Sequence, residues 1–305
     1  MNDNFRQGVW RLADPKISLA SFAGLFLAAC MAAADHGISP LWLAATIAAV
    51  FAVEVAKNAY GEIVDYDSGA DLAVADADRS PFSGGKRVLV DGLLTRQQAS
   101  AIAIACYLCA IVLGLAIMWL REPRVLSFGL VGMALAWYYH GGSLRLSYRG
   151  LGELAVVLCY GPLVVCGCYL VQTGVLTAPV IQASLALGLL VGAFLWINEF
   201  PDYRADESSG KRNLVVRLGL DRAALGYVVI LTSGYFLLVL TGLIYPSCTG
   251  LLWGLVGAPA ALFSCWRTLH FTNQTQALIP AQAACLASFV LMAVGAGLGY
   301  LLTGG

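Results

Sequence analysis

Apolar residues in this chain come in long runs separated by short polar stretches. Nine runs stand at about 17–34, 41–60, 98–119, 124–140, 152–172, 178–199, 223–244, 249–266 and 281–303. A hydrocarbon core about 30 Å thick takes about 20 apolar residues of α-helix. The pattern therefore predicts an all-α, polytopic membrane bundle of about nine transmembrane helices, read as a single domain over residues 1–305. The first run follows a 16-residue polar lead and precedes eight others, so Ala32-Ala33-Ala34 is read as part of a mature helix and not as a signal-peptide cleavage site.

Composition agrees. The 305 residues are 59% hydrophobic and 12% charged, with mean hydropathy +0.77, whereas soluble domains carry roughly 25% charged residues. That excludes an ordinary soluble protein. Net charge is zero, yet its placement is one-sided. With the N-terminus inside, 16 of the 18 Lys and Arg residues, from Arg6 to Arg267, fall at the inner face, and only Arg121 and Arg124 fall outside. The positive-inside rule then predicts a cytoplasmic N-terminus and an external C-terminus. Most of the nine Cys lie within apolar runs, where thiols behave as small hydrophobes, and no disulfide framework is expected.

Two inner connections, residues 61–97 and 200–222, hold 11 of the 18 acidic residues and are expected to form a cap. They follow the second and sixth runs, which suggests two pseudo-repeated halves. In the later segment Asn198, Asp202 and Asp206 stand at i, i+4 and i+8, on one face of a helix. Pro201 lies among them, where it removes a backbone donor and can kink the helix. In the earlier segment Asn58, Glu62 and Asp65 stand at i, i+4 and i+7, with Asp67 and Asp71 beyond. Oxygen ligands in such rows suit a hard cation such as Mg²⁺, usually held by one or two carboxylates plus phosphate oxygens. If the clusters meet across the bundle, cations and a diphosphate would relieve their repulsion. The plainer reading, solvated loop acids, holds best for Asp65, Asp67, Asp76 and Asp78 taken singly. It holds least for Asn198, Asp202 and Asp206, which grow straight out of an apolar helix.

Basic residues flank both segments: Arg79, Lys86 and Arg87 around Ser83-Gly84-Gly85, and Lys211-Arg212 after Asp206. They either clamp phosphate oxygens or anchor the inner leaflet. His36, His140 and His270 are scattered, so neither a zinc site nor a His-based nucleophile system is expected. Trp137, Tyr138 and Tyr139, ahead of Arg145 and Arg149, read as an interfacial aromatic belt or as rings that stabilise a cation. Glu54 and Lys57 lie toward the inner end of the second run, which leaves the run centres almost free of charge and argues against a transporter.

With these motifs the sequence resembles the UbiA superfamily of intramembrane prenyltransferases. Asp202-Tyr-Arg-Ala-Asp206 is similar to the family's second motif, and Gly210 to Gly219 to its extension. Asn58-Ala-Tyr-Gly-Glu62 and the segment Leu144 to Glu153 look most like the branch that prenylates dihydroxynaphthoate in menaquinone synthesis. The first motif departs from the pattern: Ala59 and Glu62 stand where Asp is usual, and Tyr66 where many members have a third Asp.

The resemblance implies a polyprenyl diphosphate bound through Mg²⁺ on Asn58, Glu62, Asp65 or Asp71, and on Asn198, Asp202 and Asp206. Arg79, Lys86, Arg87, Lys211 and Arg212 would hold the diphosphate. Asp202, Asp206, Asn58, Glu62 and Arg145 would serve catalysis. The implied partners are the bilayer, the prenyl diphosphate and a small aromatic acceptor, with no nucleic acid, in the bacterial inner membrane. Cyclisation of the prenyl chain is the rival activity.

Overall fold

A computed structural model describes residues 3–75 and 78–304. Eight helices are long and apolar enough to cross a membrane, and a shorter apolar helix joins them. The spans run Pro15–Asp35 (α2), Pro40–Ser68 (α3), Arg96–Leu120 (α5), Val125–His140 (α6), Gly152–Thr173, Ala178–Ser208 (α9), Leu220–Ile244 (α11), Pro246–His270 and Thr275–Thr303 (α13). These coincide with the nine runs. The main difference is length: α3 and α9 each extend about two turns past the apolar run, carrying the acidic motifs as helix and not as loop. With 16 residues, α6 is only about 24 Å long.

Local signals set the boundaries. Pro15, Pro40 and Pro246 occupy the first turn of their helices, where a missing N–H costs nothing. Thr95 and Gln98 form a reciprocal capping box at the start of α5. Gly69 ends α3 with φ 80°, a left-handed position that glycine occupies without penalty. The fifth span is α7 (Gly152–Leu158), a π turn over Cys159–Leu163 containing Pro162, and α8 (Val164–Thr173). The helix α9 continues through Pro201 to Ser208.

The core centres on α9, packed by α2, α8, α11 and α13 around the fully buried Tyr169, Tyr227 and Phe289. Lipid offers no hydrophobic drive between helices, so small residues and hydrogen bonds hold the bundle. A Cβ at Gly161 would lie 2.4 Å from the Ser184 carbonyl, so only glycine lets the π turn meet α9. Polar side chains pair internally: Tyr227 with Ser264 at 2.5 Å, Tyr235 with Ser288 at 2.8 Å, and Gln282 with Asn198 at 3.0 Å. All nine cysteines are free.

A cap covers one end of the bundle. It is built from the N-terminal helix α1 (Asp3–Ala13), α4 (Ala70–Ala73), the segment to Thr95, and α10 (Leu214–Leu218). Leu12, Ala59, Val88, Leu94 and Ala103 form its own small core. Polar contacts tie α1 and the start of α2 to the segment after α4: Arg11–Asp91 at 2.6 Å and Asp14–Lys86 at 3.0 Å, with Lys16 donating to the Pro81 carbonyl.

Candidate active site

The two acidic segments end on the same side of the bundle, beneath this cap. On α9, Asp206 accepts from Asn213 Nδ2 at 2.7 Å and lies 3.2 Å from Lys211 Nζ. Asn213 also accepts from Val216 N–H, so the residue that caps α10 also orients Asp206. Glu153 Oε1 accepts from Leu214 N–H at 2.6 Å, satisfying another first-turn donor of α10. Asp202 lies beside the Gly84 amide, and its Oδ1 is buried with no hydrogen-bond partner.

On α3, Asp65 lies 3.3 Å from His140 Nδ1 and accepts from the Tyr148 hydroxyl at 3.1 Å. Gly61 makes that possible, because a Cβ there would come within 2.6 Å of the His140 ring. Asp71, on α4, packs against Gly85, where φ is 74° and a Cβ would fall 2.2 Å from Oδ1.

Charge unites the halves. Burial, with the negative charges of Asp65, Glu62 and Asp202, pushes the Asp71 carboxyl up to about 8, against the pull of Lys211. Burial opposes the charge on Lys211, but Asp206, Asp65 and Asp202 hold its ammonium well above the ordinary lysine value. Lys211 thus faces carboxylates from both motifs. The Tyr148 hydroxyl is raised to about 12, by burial and by Asp65.

The other residues singled out from the sequence divide by role. Asn58 donates to the Leu12 carbonyl at 2.8 Å, and Glu62 accepts from Leu89 N–H at 2.9 Å. Both are buried and anchor the cap. Asn198 reaches toward Gln282 in the bundle interior. Arg87 donates to the Asp71 carbonyl at 3.0 Å and leans on Asp91, while Lys86 is engaged with Asp14. Arg79 packs beside Gly84. Arg212 is exposed, and Arg145 is exposed at φ 43°, with its guanidinium 5.3 Å from the Tyr148 ring. Asp67 pairs with Arg96 at the surface, and Asp76 lies outside the described residues. His140, Tyr148, Asn213 and Glu153 enter the site through contacts that a scan for acidic rows does not register, because each pairs across loops.

Beneath the cluster an apolar cavity of about 300 Å³ runs between α3, α5, α6 and the 152–173 span. Its wall includes Ile111, Leu115, Leu126 and Leu130, which are also exposed on the outside of the bundle, so the cavity opens sideways between α5 and α6. The aromatic trio divides here. Tyr139 is buried in the cavity wall, while Trp137 is half exposed and stacks on Tyr60 at 4.6 Å.

The carboxylates suit a hard divalent ion: Asp202 carries an unpaired buried oxygen, and Asp71 sits among three other carboxylates. Among the described residues no three acidic, His or Cys side chains already stand in coordinating range of one point. An ion held here would therefore complete its shell with oxygens from a ligand.

A helical membrane bundle with two facing carboxylate segments, a polar cap and a lipid-facing apolar cavity defines an integral membrane enzyme of the prenyltransferase class. The chain belongs to the UbiA prenyltransferase family, whose profile matches residues 22–290. It is 28% identical over 217 residues to 1,4-dihydroxy-2-naphthoate octaprenyltransferase of Bacillus subtilis, covering 71% of this chain and 68% of that protein. With the enzyme of the same name from Mycobacterium tuberculosis it is 31% identical over 240 residues, 79% and 77% of the two chains. Relatives of the menaquinone branch are thus among the proteins it resembles. The fold is shared with a UbiA homologue from Aeropyrum pernix, with TM-score 0.66 and 18% identity over 92% of this chain and 97% of that one. A homologue from Archaeoglobus fulgidus, solved with GPP and Mg²⁺, gives TM-score 0.58 at 14% identity over 97% and 99%.

Proposed function

We propose that this enzyme transfers a prenyl group from a polyprenyl diphosphate to a dihydroxynaphthoate-type aromatic acceptor, with Mg²⁺ bound at the paired carboxylates. The observation that carries this reading is the meeting of both acidic segments around Lys211, close to Tyr139 at the inner end of a laterally open apolar cavity. The prenyl tail enters between α5 and α6 and lies along the cavity. The diphosphate sits under the cap.

Asp65, Asp71, Asp202 and Asp206 hold the ion, and Asn58 and Glu62 keep the cap seated above them. When bound, Mg²⁺ neutralises charge on the diphosphate oxygens and makes the group a better leaving group. Lys211 supplies a fixed positive charge beside the same oxygens, and the Gly84-Gly85 turn brings backbone close to them. The apolar walls and Tyr139 exclude water from the allylic carbon once its bond to oxygen loosens. The structure of the A. fulgidus homologue with GPP and Mg²⁺ supports the metal, and the similarity to dihydroxynaphthoate octaprenyltransferases supports the acceptor.

The whole chain acts as one domain in the bacterial inner membrane. The cap and N-terminus face the cytoplasm and the C-terminus faces outward, as the one-sided distribution of Lys and Arg supports.

The test is diphosphate release from a labelled polyprenyl diphosphate by purified protein, with and without Mg²⁺ and acceptor. Release that needs both, and falls at least about 100-fold in Asp202→Asn, supports transfer. Release without acceptor supports cyclisation in its place, and no release from any chain length refutes the reading.

A further inference from the structure

The apolar cavity has a charged inner end. Glu54 and Lys57, three residues apart on α3, both stand on its wall. Glu54 is 7% exposed, and both its carboxylate oxygens are buried without a hydrogen-bond partner. The hydroxyls of Ser18 and Ser21 lie near it, but donate instead to the Ala13 and Ser18 carbonyls at 2.9 and 3.0 Å. The Tyr160 hydroxyl is its other polar neighbour.

Lys57 and Glu54 are spaced to pair along the helix, yet no ion pair joins them. The Lys57 ammonium is drawn 5.1 Å over the Tyr139 ring instead. A carboxyl group without a geometric hydrogen-bond partner is costly to bury in a hydrocarbon environment, and such a group inside a membrane span marks a candidate binding site.

The location is specific. Lys57 directly precedes Asn58, and Tyr139 directly precedes His140, whose ring contacts Asp65. The pair therefore lies on the cavity side of the carboxylate cluster, where the first carbon of a prenyl chain must sit if its diphosphate is under the cap and its tail in the cavity. A molecule attacking that carbon has to occupy this space.

We propose that Glu54 and Lys57 recognise the acceptor as a hydroxylated aromatic carboxylate. The acceptor's hydroxyl donates to Glu54, its carboxylate pairs with Lys57, and its ring packs against Tyr139. This assignment rests on the prenyl-transfer reading above. Both are positioning residues that set which acceptor is bound and how its ring faces the allylic carbon.

The experiment measures binding of 1-hydroxy-2-naphthoate, its methyl ester and 2-naphthoate to the full-length protein in nanodiscs, without prenyl diphosphate. The wild type binds the hydroxy acid about tenfold tighter than either analogue, a difference of about 1.4 kcal/mol. Lys57→Met erases the preference for acid over ester. Glu54→Met erases the preference for the hydroxylated compound, and Glu54→Gln, which keeps an accepting oxygen, retains part of it. In turnover, both Met variants raise KM for the acceptor and leave KM for the prenyl diphosphate unchanged.

A wild type that binds acid and ester equally overturns the proposal. So does a Lys57→Met variant whose defect lies in the prenyl diphosphate KM, which would give Lys57 to the leaving group. Lys57→Arg and Glu54→Gln, with their smaller changes in packing, carry the comparison if the Met variants do not fold. Discrimination without any turnover would uphold this site while refuting the prenyl-transfer reading, so the two fail separately.

Discussion

Lys211 Nζ lies 3.2 Å from Asp206 Oδ1 and also faces Asp65 and Asp202, so one ammonium neutralises carboxylates from two distant segments of the chain. Removing one partner of a buried ion pair costs about 3–5 kcal/mol. Lys211→Met is therefore expected to lower the melting temperature in detergent, and Mg²⁺ is expected to recover more of that loss than it adds to the wild type. Scanning fluorimetry across an Mg²⁺ series checks this. Equal shifts in both proteins would mean that Lys211 does not neutralise the cluster.

Asp71 gives the site a pH dependence of defined sign. Its carboxyl is raised to about 8 by burial and by Asp65, Glu62 and Asp202. Below that pH it holds a proton that a cation must displace, so Mg²⁺ binding is expected to weaken as pH falls from 8.5 to about 6.5 and to release a proton. Calorimetric titration in two buffers of different ionisation enthalpy reads both effects. Asp71→Asn should flatten the profile.

Gly85 combines φ 74° with a missing Cβ that would sit 2.2 Å from Asp71 Oδ1. Gly85→Ala is expected to cost about 1–3 kcal/mol of local stability, seen as faster hydrogen exchange over the cap between residues 84 and 94. Unchanged exchange together with full activity would show that the turn tolerates a side chain.

Gly114 and Gly129 both line the cavity, and neither has an atom near the position a Cβ would take. Gly129→Phe should therefore fill the channel without disturbing packing. KM for a long polyprenyl diphosphate is expected to rise about tenfold, about 1.4 kcal/mol, while KM for dimethylallyl diphosphate stays level. Kinetics with the two donors decides it.

The helices were legible because lipid demands long apolar runs, and the run ends fall close to the helix ends. The acidic rows were legible as rows, since α3 and α9 place i and i+4 on one face whatever surrounds them. Their division of labour was not. Asn58 and Glu62 match a metal-ligand pattern by spacing, and the spacing says nothing of the bonds they also make to Leu12 and Leu89, partners 46 and 27 residues away. His140, set aside as isolated, meets Asp65 across 75 positions only because Gly61 leaves room. Glu54 and Lys57 read as inner-end charges, and only the packing of α6 against α3 turns them into a cavity wall. Periodicity reports which face of a helix is shared, and cross-chain pairing decides what that face meets.

The sideways opening between α5 and α6 changes how this enzyme counts its substrate. A polyprenyl diphosphate that arrives through that gap is drawn from the lipid phase, so the relevant concentration is its mole fraction among lipids. Diluting the substrate with more detergent or lipid, at constant bulk concentration, should slow the reaction as removing substrate does. A product that leaves by the same gap is already in the membrane where its next partner diffuses.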